Sequence, residues 1–147
     1  MATGRAVKQQ AVEPSVRMAT LDGLLRTAIE LRRHVESVAR EFELSAPQAR
    51  LVLILDEPMR MQRAAVATAC EPSHLTALAD QLEAAGLITR EADPDDRRAR
   101  RLCLTDKGIR LRTRLAPAML DEAPVVGGLD DGQCAALIGL LDPKEEA

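Results

Sequence analysis

From Ser15 to about Phe42 the apolar residues fall at Leu21, Leu24, Leu25, Ala28, Leu31, Val35, Val38, Ala39 and Phe42. Steps of three and four over this length predict one long amphipathic helix. It would reach about 40 Å, more than a small core needs, so part of its stripe is available to another chain. Residues 1–14 carry no such stripe and read as a flexible tail. Ser45 followed by Gln48 has capping-box spacing: the hydroxyl accepts from the third helical N–H and the amide reaches back. A second helix follows through Leu55 and is broken by Asp56, Glu57 and Pro58. A third, short helix from about Gln62 to Ala69 carries Ala64, Ala65, Val66 and Ala67. Pro72 suits the first turn of a fourth, where its missing N–H costs nothing. Leu75, Leu78, Ala79 and Leu82 form that helix's buried face, and Gly86 provides a left-handed stop. Leu87–Glu91 and Arg100–Leu104 are strand candidates around a turn-rich connection, together a hairpin with a basic tip. Thr105 and Asp106 start a fifth helix, in which Pro117 should cause a bend or remove a hydrogen bond. Pro124, Gly127 and Gly128 end it, and Asp130 caps a last helix through Leu141.

Composition narrows the classes of function. The 147 residues suit one domain, and 46% apolar with 29% charged is ordinary for a globular protein. No apolar run approaches the roughly 18 residues of a membrane helix, and no basic-then-apolar leader opens the chain. Phe42 is the sole aromatic residue, which disfavours base-stacking single-strand binders and aromatic cages. Cys70, Cys103 and Cys134 are odd in number and far apart, so a disulfide framework is not expected and a reducing cytoplasm fits. With only His34 and His74 besides, no set has metal-ligand spacing. There is no phosphate loop and no nucleophile elbow. Asp56 with Glu57, and Asp130 with Asp131, read as turns and caps, so neither an enzyme nor a cofactor is expected.

Charge changes the picture. A net charge of −3 argues by itself against a nucleic-acid partner. From Leu87 to Arg114, however, nine basic residues face five acids, whereas beyond Arg114 only Lys144 opposes seven acids. Such polarity marks either a local anion-binding face or a solvated surface. The order of elements decides how the charge is read. Two short helices separated by two or three residues, then a basic hairpin, form a winged helix-turn-helix pattern. A second helix of that kind can enter the major groove, which accepts one helix. The exposed end of the fourth helix carries Ser73, His74 and Thr76, which can donate or accept toward bases, and Gln81 shares its face. Arg97, Arg98, Arg100 and Arg101 can follow the backbone or reach a narrow minor groove. Alternation along the hairpin requires at least one of them to point away.

The stretch Leu82–Arg90, then Asp93–Arg98, then Leu102–Gly108 resembles the MarR family of winged helix-turn-helix transcriptional regulators. The likeness covers residues 44–115 tightly and the flanking helices loosely. It implies a mainly α fold with a small two-stranded β-wing and a helical dimerisation region from both termini. Residues 15–147 would be a single such domain, with dimerisation helices at 15–43 and 109–147 and the DNA-binding part at 44–108. It also implies an obligate homodimer on a pseudo-palindromic DNA operator, acting as a repressor. The family's wing arginine falls on Arg98 and the acid that steadies it on Asp96. Many members carry a basic residue where this chain has Ala77, so base readout here is expected to be sparse and shape readout through the wing correspondingly more important.

The resemblance further implies a small anionic or phenolic ligand between the dimer helices and the winged part. His34, with Arg33 nearby, can meet such an anion, or can pair with Glu30 on the helix surface. An aliphatic pocket from Leu24, Ala28, Leu31, Leu51 and Leu55 would suit it. His74 likewise reads either as a base or phosphate contact or as an exposed helix residue. The three thiols are expected to be buried and inert. Cys70, just before the fourth helix, is the best candidate for a redox-responsive regulator. A dimeric helical interaction module without DNA reading is the other alternative.

Overall fold

The computed structural model describes residues 15–142, so the expected tail and the last residues of the expected dimerisation range 109–147 lie outside the described part. Helix α1 spans Val16–Glu41, α2 Ala46–Ile54, α3 Met61–Thr68, α4 Pro72–Ala84, α5 Asp106–Leu120 and α6 Asp131–Leu141. Strands β1 Met59–Arg60, β2 Ile88–Ala92 and β3 Arg100–Leu104 form one antiparallel sheet in the order β1-β3-β2. The fold is the expected winged helix with long terminal helices.

The local signals act as their chemistry requires. Ser45 and Gln48 make the reciprocal capping box of α2. Thr105 Oγ1 accepts the Gly108 N–H at 3.1 Å to start α5. Asp130 and Gln133 form a second capping box at α6. Gly86 takes φ +73° after α4, the left-handed stop that a residue with a Cβ adopts only at a cost. At Gly108 an added Cβ would collide with the Leu87 carbonyl, so α5 rests directly on the first residue after the α4 turn. Helix α5 continues through Pro117 to Leu120.

The sheet has three strands where the sequence predicts two. Met59 pairs with Leu102 and Arg60 with Arg101, on the side of β3 opposite β2. Two residues are too few to leave an alternating pattern, so β1 is hidden within the chain break that precedes α3.

One apolar core lies among α2, α3, α4, the sheet and the C-terminal halves of α1 and α5. Leu51, Val52, Leu75, Leu82, Ile88, Leu102 and Leu115 are essentially inaccessible. Ala49, Ala64 and Ala79 are completely buried as well, and their small side chains let α2, α3 and α4 approach closely. The core does not extend along the whole of α1. Of its stripe only Val38 and Ala39 are buried; Leu31, Val35 and Phe42 are half-buried, and Leu21, Leu24, Leu25 and Ala28 are exposed. Helix α6 has no buried residue at all.

Candidate nucleic-acid interface

Helices α3 and α4 are joined by a tight turn. Ala69 takes the left-handed conformation (φ 51°), which allows the Cys70 N–H to donate to the Ala65 carbonyl at 3.0 Å. Pro72 then occupies the first turn of α4, and no side chain caps that terminus. The apolar face of α4, with Leu75, Leu78, Ala79 and Leu82, is buried. The opposite face presents Ser73, His74, Thr76 and Ala77 to solvent. Thr76 Oγ1 donates to the Pro72 carbonyl at 2.9 Å, so toward an incoming base it offers lone pairs rather than a proton. Gln81 is exposed further along, but its Oε1 accepts from Gln48 Nε2 at 2.8 Å, which ties it to α2.

Arg90 holds the helix to the sheet. Its guanidinium meets Asp80 at 2.6 Å, Glu83 at 2.7 Å and the Thr76 carbonyl at 3.2 Å. That uses one of the nine basic residues of the segment internally. Arg101 is a second: half-buried, it faces Glu91 across the strands at 3.7 Å, with its Nε buried. It is the arginine that alternation turns away from Arg100, which is exposed.

The wing turn is organised by Asp93. Its backbone N–H donates to the Ala99 carbonyl at 3.0 Å, closing the loop. Its carboxylate accepts the N–H groups of Asp95 and Asp96 at 2.9 and 3.2 Å. It also accepts two bonds from Arg60, at 2.7 Å from Nε and 3.1 Å from Nη2. Only 5% of Asp93 is exposed. The Arg60 hydrogen bond, then the backbone N–H groups, hold its carboxyl well below the ordinary range, at about 2. The sequence reading missed this pair. An aspartate opening a turn is common, and its arginine lies 33 residues earlier in the chain with no periodic link to it.

Asp96 supports the wing differently than expected. Its Oδ1 accepts the backbone N–H of Arg98 at 3.0 Å, so it fixes the turn rather than the guanidinium. Short carboxylate side chains favour such local bonds to the backbone two residues on. Arg97, Arg98 and Arg100 stay exposed, with no ion-pair partner among the described residues.

The other candidates sit elsewhere. His34 is half-buried, and its Nε2 lies 2.9 Å from the Met119 carbonyl, linking α1 to α5 rather than pairing with Glu30. Arg33 is exposed on α1. The expected aliphatic pocket is not formed, because Leu51 and Leu55 are buried in the winged-helix core while Leu24 and Ala28 are exposed. The thiols also differ from expectation: Cys103 is buried, whereas Cys70 and Cys134 are only partly so. Burial first, then Glu91, pushes the Cys103 thiol upward, away from a reactive thiolate. No metal-ligand cluster occurs among the described residues, and no described helix is long and apolar enough to cross a membrane.

Residues 44–99 match the model of the MarR family. A Thauera aromatica protein, described as a transcriptional regulatory protein for the hcr operon, is 34% identical over 93 residues, covering 62% of this chain and 56% of that protein. The chain thus spans little more than half the length of that relative. Among solved structures, the MarR family regulator AbsC of Streptomyces coelicolor superposes with a TM-score of 0.73 at 23% identity, covering 90% of this chain and 93% of that one. CouR of Rhodococcus jostii RHA1, solved with p-coumaroyl-CoA, gives 0.73 at 24%, with coverage of 88% and 92%. Another Streptomyces coelicolor MarR family regulator, solved with DNA, gives 0.71 at 23%, with coverage of 88% and 87%. At these identities the structural likeness establishes the fold.

Proposed function

We propose that this chain is a member of the MarR family of winged helix-turn-helix transcriptional regulators, whose model residues 44–99 match, and that it acts as a ligand-responsive repressor rather than an enzyme. It binds a pseudo-palindromic operator as a homodimer in the cytoplasm. The observation that carries this reading is the exposed surface shared by α4 and the wing. Ser73, His74, Thr76 and Ala77 project from the uncapped end of α4, and Arg97, Arg98 and Arg100 stand exposed on the wing. The α4 terminus offers free N–H groups to phosphate and uncharged side chains to base edges. The wing arginines carry the charge that an acidic chain otherwise lacks.

Dimerisation is supported by the apolar faces left open on the terminal helices. Val16, Met18, Leu21, Leu25 and Ile29 of α1, and Ile138, Leu140 and Leu141 of α6, are half or more exposed. Contiguous apolar surface of this kind marks an association site. Pairing the helices at 15–43 and 109–147 of two chains would cover it and set the two α4 helices about one DNA turn apart. A small anionic or phenolic ligand lodged between these helices and the winged part, near His34 and Arg33, would alter that separation. The grooves have fixed spacing, so the ligand would favour the state that fits DNA less well. The coupling expected of such a switch is roughly 1–3 kcal/mol.

The test is a mobility-shift titration against the DNA upstream of the protein's own gene, at two salt concentrations with competitor present. Specific binding that weakens by orders of magnitude between low and moderate salt supports the reading. A folded dimer that binds no DNA at low salt overturns it.

A further inference from the structure

The winged helix contains a cleft that the α4 face does not use. It lies between the wing tip and the start of α3, encloses about 380 Å³ and is lined by Arg60, Gln62, Asp96, Arg98 and Arg100, among others. Three arginines thus line one cleft, and they come to it from different elements. Arg60 is the last residue of β1, whereas Arg98 and Arg100 belong to the wing.

Arg60 is held rather than loose. Nε and Nη2 donate to the two Asp93 oxygens, leaving Nη1 without a hydrogen-bond partner among the described residues. About half of its side chain remains exposed (48%). The neighbouring carboxylates are occupied by the wing's own backbone: Asp93 by the N–H groups of Asp95 and Asp96, and Asp96 Oδ1 by that of Arg98. Those bonds turn the carboxylates toward the loop, while Arg98 and Arg100 have no ion-pair partner among the described residues.

The position of the cleft identifies what fits it. In a helix-turn-helix the second helix, here α4, lies in the major groove while the first, here α3, crosses the sugar-phosphate backbone, and this cleft opens between the start of α3 and the wing. We propose that this cleft is a phosphate seat: Arg60, with Arg100, holds a backbone phosphate of double-stranded DNA while Arg98 extends to the minor groove, and Asp93 is the positioning residue that aims the Arg60 guanidinium. Planar guanidinium groups match phosphate oxygens in pairs, so a fixed arginine loses less freedom on contact than a loose one. The contact sets the register of the protein on the duplex and carries no base information. The inference rests on the DNA-binding reading above.

The test is an anisotropy titration of a labelled duplex of arbitrary sequence over a range of salt. The proteins are wild type, Arg60→Gln, Arg60→Lys and the double variant Arg60→Gln with Asp93→Asn, each checked by thermal melting. Arg60→Gln is expected to shallow the plot of log affinity against log salt by about 0.9 per subunit, the loss of one phosphate contact. Arg60→Lys keeps the cation and should restore the wild-type slope. The double variant removes both charges, and with them any cost of an unpaired Asp93, so its slope should stay shallow. A folded Arg60→Gln or double variant with the wild-type slope would show that Arg60 serves only the ion pair, and would overturn the seat alone. Wild-type protein that binds no duplex at low salt would overturn the DNA reading itself.

Discussion

In α4, Leu75, Leu78 and Leu82 are at most 4% exposed, whereas in the first half of α1 Leu21, Leu24 and Leu25 are about half exposed. Both helices carry the same kind of amphipathic stripe. In the winged part, residues 44–108, the stripe meets α2, α3 and the sheet within the same chain. In α1 and α6 it meets solvent. Helix α6 is the extreme case, because Leu137, Ile138, Leu140 and Leu141 follow a capping box yet none is buried. Periodicity therefore marks a face as apolar, but does not say what covers it. One part of this molecule completes its own core, and the other leaves its apolar face open.

The sharpest way to break that contrast is to charge the open face. Leu21→Glu combined with Leu25→Glu places two carboxylates on one side of α1, where the single chain buries nothing. Sedimentation should show monomers with the winged part still folded. Operator affinity should fall on the order of 100-fold or more, since the second half-site no longer binds in tandem. A double variant that remains a dimer would place the interface elsewhere.

Next in size are the wing substitutions. Arg98→Ala should weaken operator binding by roughly 1–3 kcal/mol while leaving the melting temperature unchanged. Asp96→Ala should act in the same direction but more weakly, because it loosens the Arg98 backbone rather than removing the charge. Binding titrations paired with thermal melts separate the two. Equal, full-strength binding by both variants would remove the wing from the interface.

A smaller effect concerns acid stability. Asp93 is held at about 2 in the folded chain, against an ordinary value of 3.8. The unfolded chain therefore takes up this proton first as pH falls. The Arg60–Asp93 contribution is fully present above about pH 4 and is lost between there and about pH 2. Denaturation of wild type and Asp93→Asn across this range should show the difference between them shrinking as pH falls. A difference that stays constant to pH 2 would contradict the assignment.

The smallest expected change is a gain. Ala69 carries a left-handed φ of 51° in the helix-turn-helix turn. Ala69→Gly removes a penalty of about 1–2 kcal/mol and adds back part of it as unfolded-chain entropy. A net stabilisation of about 0.5–1 kcal/mol in denaturant titrations is expected.

What was legible in the sequence follows the range of each interaction. The Ser45–Gln48 box, the Thr105 cap, the Gly86 stop and the wing strands are written within a few residues of one another. The resemblance to the MarR family likewise rested on contiguous segments. The Arg60–Asp93 pair and the Gln48–Gln81 bond each join residues 33 apart, and no local pattern announces them. Strand β1 was too short to alternate. An apolar stripe does not state which neighbour it packs against, so Leu51 and Leu55, expected in a ligand pocket, lie in the core. At Asp96 the expected partner is the Arg98 guanidinium, whereas the bond formed is to the Arg98 N–H.

The most direct measurement of the central claim is a chemical footprint of the protein on the DNA upstream of its own gene. Two α4 helices related by a dyad predict two protected major-groove segments about one helical turn apart. Each should be flanked by minor-groove protection that disappears with Arg98→Ala. A single protected segment, or protection with no dyad, would contradict a dimeric regulator that reads DNA through α4 and the wing.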